Sequence, residues 1–172
     1  MNNYRFNKTL LIGMGLIGSS IARALKKFNI SEEIFGIDIN DKVIDKCEKL
    51  KLLNTIKKNI NEFDIQFDLI IICSPLSTYN DIFLKLDNFI TKKTIITDVG
   101  STKASVIDNY KSLVKNKNIF FIPSHPIAGL EKSGPEFGFA NLFKNRFCIL
   151  TPINKEDDIK TVSTLWQSMG MK

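Results

Sequence analysis

The stretch Leu10–Lys27, LLIGMGLIGSSIARALKK, decides the fold. An apolar run ends at Gly13, glycines at 13, 15 and 18 satisfy G-x-G-x-x-G, and Ile17, Ile21 and Leu25 then recur at helical spacing. A buried strand, a tight turn and a helix are expected in that order. In this setting Gly13 permits the turn, Gly15 lets a pyrophosphate approach the backbone, and Gly18 lets helix and strand pack closely. The unpaired N–H groups and the positive dipole end of the helix suit phosphate. Gly13, Met14, Gly15, Leu16, Ile17 and Gly18 are therefore candidate cofactor-binding residues.

Downstream, strands and helices alternate. EIFGID (33–38), FDLIIICS (67–74), KTIITDVG (93–100), NIFFIPS (118–124) and RFCILTP (146–152) read as strands. Between them lie helical segments opening at Asn40, Ser77 and Ser101, and a last one spans 156–170 with Gly170 at its end. This alternation predicts an α/β fold: a doubly wound, mainly parallel Rossmann-type sheet with helices on both faces. The pattern predicts one nucleotide-binding domain over 1–172. A further strand is expected after Gly170, so the chain reads as cut short.

Asp38 follows Gly18 by 20 residues, at the end of the second strand. A carboxylate there can accept both ribose hydroxyls of an adenosine and would repel a 2′-phosphate, which favours NAD over NADP. Open parallel sheets bind ligands at the carboxyl ends of their strands. Cys73, Ser74 and Pro75 sit at one such end and Ser101 near another. Pro75 suits packing against ribose or adenine, with a mere strand terminator as the alternative. Ser101 suits a helix N-cap, a role near the nicotinamide, or both.

His125 is the only histidine among 172 residues. A lone histidine is commonly a satisfied structural residue. This one follows a buried strand at the ligand edge, precedes Pro126, which biases it toward extended backbone, and opens a long polar loop. Oxidising an alcohol with NAD requires a base for the hydroxyl proton, and imidazole titrates in the right range.

The bulk properties exclude several classes. The net charge is +6, yet the lysines are scattered (Lys26–Lys27, Lys57–Lys58, Lys92–Lys93), so no nucleic-acid stripe is expected. No apolar run approaches the roughly 20 residues of a membrane span, and no signal peptide is evident. A soluble, cytoplasmic protein is expected. Cys47, Cys73 and Cys148 form no C-x-x-C pair, and with one histidine no metal set is expected.

Taken together, LLIGMGLIGSSIARALKK, DLIIICSPL, TDVGSTKASV and SHPIAGLEKSGPEFGFANLF resemble the prephenate dehydrogenase family, which includes arogenate dehydrogenases. The resemblance runs from about Thr9 to Lys172, and its specific part is the histidine loop. It implies NAD-dependent oxidative decarboxylation of prephenate, or of arogenate, in tyrosine biosynthesis. His125 matches the family's catalytic histidine, Ser101 the serine that orients it, and Glu131 an acidic residue of the loop tied to substrate access. The family's helical C-terminal domain, which forms the homodimer and supplies a substrate-binding arginine, has no counterpart in this sequence. Rival readings are another NAD(P)-dependent dehydrogenase and a non-catalytic NAD-binding regulatory module. Neither gives the histidine loop a purpose.

Overall fold

A computed structural model describes residues 5–151, 153 and 156–172. Its main elements are β1 (Phe6–Ile12), α1 (Leu16–Lys27), β2 (Ser31–Ile37), α2 (Asp41–Lys49), β3 (Thr55–Lys57), β4 (Leu69–Ile72), α3 (Tyr79–Phe89), β5 (Thr94–Asp98), α4 (Ala104–Leu113), β6 (Ile119–Ile122), β7 (Ser124–Pro126), β8 (Cys148–Leu150) and α5 (Glu156–Ser168). Six strands form one parallel sheet in the order β3-β2-β1-β4-β5-β6. This is the doubly wound order, with its reversal between β1 and β4.

Alternation along the strands builds a core on each face. Leu11, Leu69, Ile71 and Ile95 point toward α1, α2 and α5, where they meet Ile21, Leu25, Cys47, Val162 and Trp166. Leu10, Ile12, Ile70, Ile72 and Ile96 point the other way, toward Tyr79, Phe83 and Leu86 of α3 and Val106 of α4. Leu69–Ile72 is wholly buried on both faces. Each such side chain contributes about 1.5–3 kcal/mol through removal from water, so β4 is the apolar spine of the domain.

The local signals act as expected at several ends. Asn40 caps α2, its Oδ1 accepting the Lys42 N–H at 3.0 Å. Gly170 adopts φ +89° after α5, and Met171 returns its N–H to Trp166 O at 3.1 Å.

Three features depart from the sequence reading. The edge strand β3 is three residues long, too short to show a period. Helix α4 begins at Ala104 with Lys103 at its N-cap position, so Ser101 caps nothing. The 146–152 stretch does not extend the parallel sheet. Its residues Cys148–Leu150 pair antiparallel with β7 in a separate two-stranded sheet, and Pro152 lies outside the described residues. The reason is the path of the chain. After β6 it passes the carboxyl edge, and the loop beyond Pro126 folds back over α1 and α2. Phe139 N–H bonds Ser20 Oγ at 3.1 Å, Lys27 Nζ bonds Asn141 Oδ1 at 2.8 Å, and Glu136 pairs with Lys46.

Candidate functional site

Because all six strands of the main sheet run parallel, their carboxyl ends form one edge, and every candidate residue lies on it or in the loop above it. At β1 the turn is enforced by geometry. Gly13 has φ +95°, and a Cβ there would lie 2.7 Å from Ser74 N. A Cβ on Gly18 would lie 2.1 Å from Gly13 O. A Cβ on Gly15 would meet nothing within 4 Å. Two glycines are thus required by the protein's own packing, while Gly15 opens onto free space. It is also the N-cap of α1, which no side chain caps. Open space before an uncapped helix N-terminus suits a phosphate.

Asp38 Oδ2 accepts the Met14 N–H at 2.8 Å, and Oδ1 accepts the Asn40 N–H at 3.0 Å. The acid is therefore joined to the glycine loop. Met14 is correspondingly not a direct phosphate donor: its N–H is spent on Asp38 and its side chain is wholly buried. Leu16 is buried as well, and Ile17 packs against the core. At the end of β4, Cys73 N–H bonds Ile12 O at 2.7 Å, Ser74 Oγ lies 2.8 Å from Thr78 Oγ1, and Pro75 is exposed above a short 3-10 turn. Burial pushes the Cys73 thiol upward from its ordinary value, which makes it an inert wall rather than a nucleophile.

At β5 lies a group of residues that the sequence reading passed over. Asp98 is fully buried. Its Oδ2 accepts from Tyr79 Oη at 3.1 Å, Gly100 N at 3.1 Å and Lys103 Nζ at 2.5 Å, and its Oδ1 accepts from Ser124 N at 3.0 Å. Ser124 Oγ donates to Asp98 O at 2.5 Å and accepts from Trp166 Nε1 at 3.1 Å. Burial lowers the Lys103 pKa from its ordinary value, with Asp98 opposing, and burial raises that of Tyr79. The signal available beforehand was an acid ending an otherwise apolar strand, with a lysine five residues on.

His125 follows Ser124 directly. It is half-buried, and its backbone pairs with Ile149. Ser101 is exposed three residues beyond Asp98. Among the described residues no hydrogen bond joins Ser101 to His125. Glu131 is exposed in the loop, and it is Glu136, not Glu131, that fastens this loop to α2.

A family model described as the nucleotide-binding domain of prephenate dehydrogenase matches residues 21–172. The chain belongs to the prephenate dehydrogenase family. Its membership rests on the segment after the glycine loop, which includes the histidine loop. A cyclohexadienyl dehydrogenase of Zymomonas mobilis is 34% identical over 167 residues, covering 96% of this chain and 56% of that protein. A prephenate dehydrogenase of Bacillus subtilis is 38% identical over 149 residues, covering 86% and 40%. The crystal structure of the Aquifex aeolicus prephenate dehydrogenase with hydroxyphenyl propionate and NAD+ superposes with a TM-score of 0.89 at 30% identity, covering 96% of this chain and 58% of that one. The chain thus spans about half the length of the relatives it matches. Among the described residues no helix is long and apolar enough to cross a membrane.

Proposed function

We propose that this chain is the nucleotide-binding and catalytic-histidine part of a cytoplasmic, NAD-dependent dehydrogenase that converts prephenate to 4-hydroxyphenylpyruvate and CO₂. The observation that supports it is the shared edge: a glycine turn open at Gly15 and a lone histidine stand at the carboxyl ends of one parallel sheet. NAD, when bound, supplies the hydride acceptor.

The chain's own residues divide the remaining work. The backbone of Gly15–Gly18 and the N-terminus of α1 receive the pyrophosphate, and Asp38 accepts the adenosine ribose hydroxyls while repelling a 2′-phosphate. Cys73, Ser74 and Pro75 form the wall beside the cofactor. His125 takes the proton from the substrate's C4 hydroxyl as the ring carboxylate departs as CO₂ and the ring becomes aromatic. Ser101 orients the imidazole, and Glu131 belongs to the substrate-access loop. A further helical domain of the whole protein would supply the dimer interface and a cation for the ring carboxylate. Arogenate is the alternative substrate, since nothing on this edge selects the side chain.

The test is NADH formation from prephenate and from arogenate by the protein expressed from its whole gene. Turnover of either substrate is expected. NAD binding without turnover of either would leave a regulatory nucleotide-binding module instead.

A further inference from the structure

We infer that Asp98 is a positioning residue whose carboxylate sets the spacing between the loop carrying Ser101 and the strand carrying His125. The two oxygens serve the two sides. Oδ1 accepts the N–H of Ser124, the residue immediately before His125. Oδ2 accepts the N–H of Gly100, the residue immediately before Ser101. One planar group, fixed at the end of β5, therefore holds the backbone at both proposed site residues.

The rest of the cluster keeps that group from moving. Tyr79 Oη and Lys103 Nζ bond Oδ2 and fix the plane of the carboxylate, and Lys103 balances its charge. Ser124 is held a second time, since its Oγ donates to the Asp98 carbonyl, lies 2.8 Å from Thr97 Oγ1 and accepts from Trp166. Strand β7 consequently cannot slide along β5. His125 itself receives no side-chain hydrogen bond among the described residues, so its imidazole is placed through this backbone anchorage, on which the proposed role of Ser101 also depends. A misplacement of about 1 Å in a reacting group can cost on the order of 10²-fold in rate.

Every group around the carboxylate is a donor. In Asp98→Asn the volume is kept, but one side of the amide presents N–H groups to other N–H groups, so one of the two loops must shift. The catalytic consequence rests on the function proposed above; the placement of the imidazole does not.

Two readouts separate these. In the protein expressed from its whole gene, Asp98→Asn should lower kcat by about 10-fold to 10²-fold, with NAD affinity and the prephenate KM within about twofold. Ile119→Val trims the core at the amino end of β6, away from the edge, and serves as the destabilised control with kcat unchanged. In the untagged 172-residue chain, His125 gives the single imidazole Hε1 resonance. That resonance should move or broaden in Asp98→Asn and stay in place in Ile119→Val. Should Asp98→Asn fail to fold, Trp166→Phe keeps one ring against Phe143, removes the donor to Ser124 at the cost of a cavity, and should move the resonance in the same way. An unmoved resonance, or a kcat no lower than in the control, would overturn the inference. A moved resonance in a protein that turns over neither substrate would overturn the proposed function and leave the positioning role standing.

Discussion

Asp38 accepts the backbone N–H of Met14 at 2.8 Å. The acid that would select the cofactor's ribose therefore also holds the turn that would receive its phosphates. Cofactor choice and loop geometry are linked through one side chain.

Two substitutions separate these roles. Asp38→Asn retains an oxygen for the Met14 N–H and removes the charge. Asp38→Ser is too short to reach Met14. Hydrogen bonds to charged groups are worth about 1.5–3 kcal/mol, so NAD affinity should fall about 10-fold in Asn and further in Ser. Both should narrow the preference for NAD over NADP. Calorimetric titration of the two cofactors checks this, and an unchanged preference in Asp38→Ser would contradict the assignment.

The glycines should fail in different ways. Gly15→Ala adds a Cβ to open space at φ −70°, so the melting temperature should hold while NAD binding weakens. Gly18→Ala drives a Cβ into Gly13 O and should cost about 1–3 kcal/mol or more of stability, the range for overpacking. Thermal melts beside cofactor titrations distinguish them. A destabilised Gly15→Ala that binds NAD normally would reverse the roles.

His125→Asn should lower kcat by about 10²–10⁴-fold, the usual contribution of a general base, with NAD affinity retained. Ser101→Ala should be milder, and the double variant should fall short of the product of the two effects because the pair acts as a unit. Steady-state kinetics on all three variants is the measurement. Multiplicative effects would show that Ser101 acts independently of the imidazole.

Alkaline pH should weaken the fold through two sheltered thiols, Cys47 buried and Cys148 half-buried. Burial, with Asp38 adding repulsion, pushes Cys47 from 9.0 to about 11, and burial pushes Cys148 from 9.0 to about 12. The folded state thus binds these protons more tightly than the unfolded chain. Their stabilising effect is complete below pH 9 and is lost as pH rises toward 11–12. The melting temperature should decline across that window, and Cys47→Ala should flatten the decline whatever its effect at neutral pH. A thiol reagent should label the folded chain slowly at neutral pH.

Much of the candidate site's placement was legible because its signals are local. The glycine spacing, Asp38 and His125 each stand out within a few residues, and the fold supplies their common edge. Ser101 was legible as a residue at the sheet's carboxyl edge but not as a non-cap, because three polar residues precede α4 and any of them suits a helix start. The Asp98 cluster was not legible. Its members lie at 79, 98, 103, 124 and 166, and nothing in a linear pattern tells a buried, four-donor carboxylate from a strand-end surface acid.

The sequence by itself determined the alternation of elements, the glycine turn and the two-faced core, because each depends on interactions between residues close in the chain or on a period of apolar side chains. Tertiary structure alone decided three other things: the short edge strand β3, the diversion of Cys148–Leu150 into a separate pairing with Ser124–Pro126, and the gathering of Tyr79, Lys103, Ser124 and Trp166 around Asp98. These depend on which backbone and side-chain polar groups would be left without partners once the sheet has closed its core. A buried donor or acceptor without a partner is costly, and that requirement is settled only when distant segments meet.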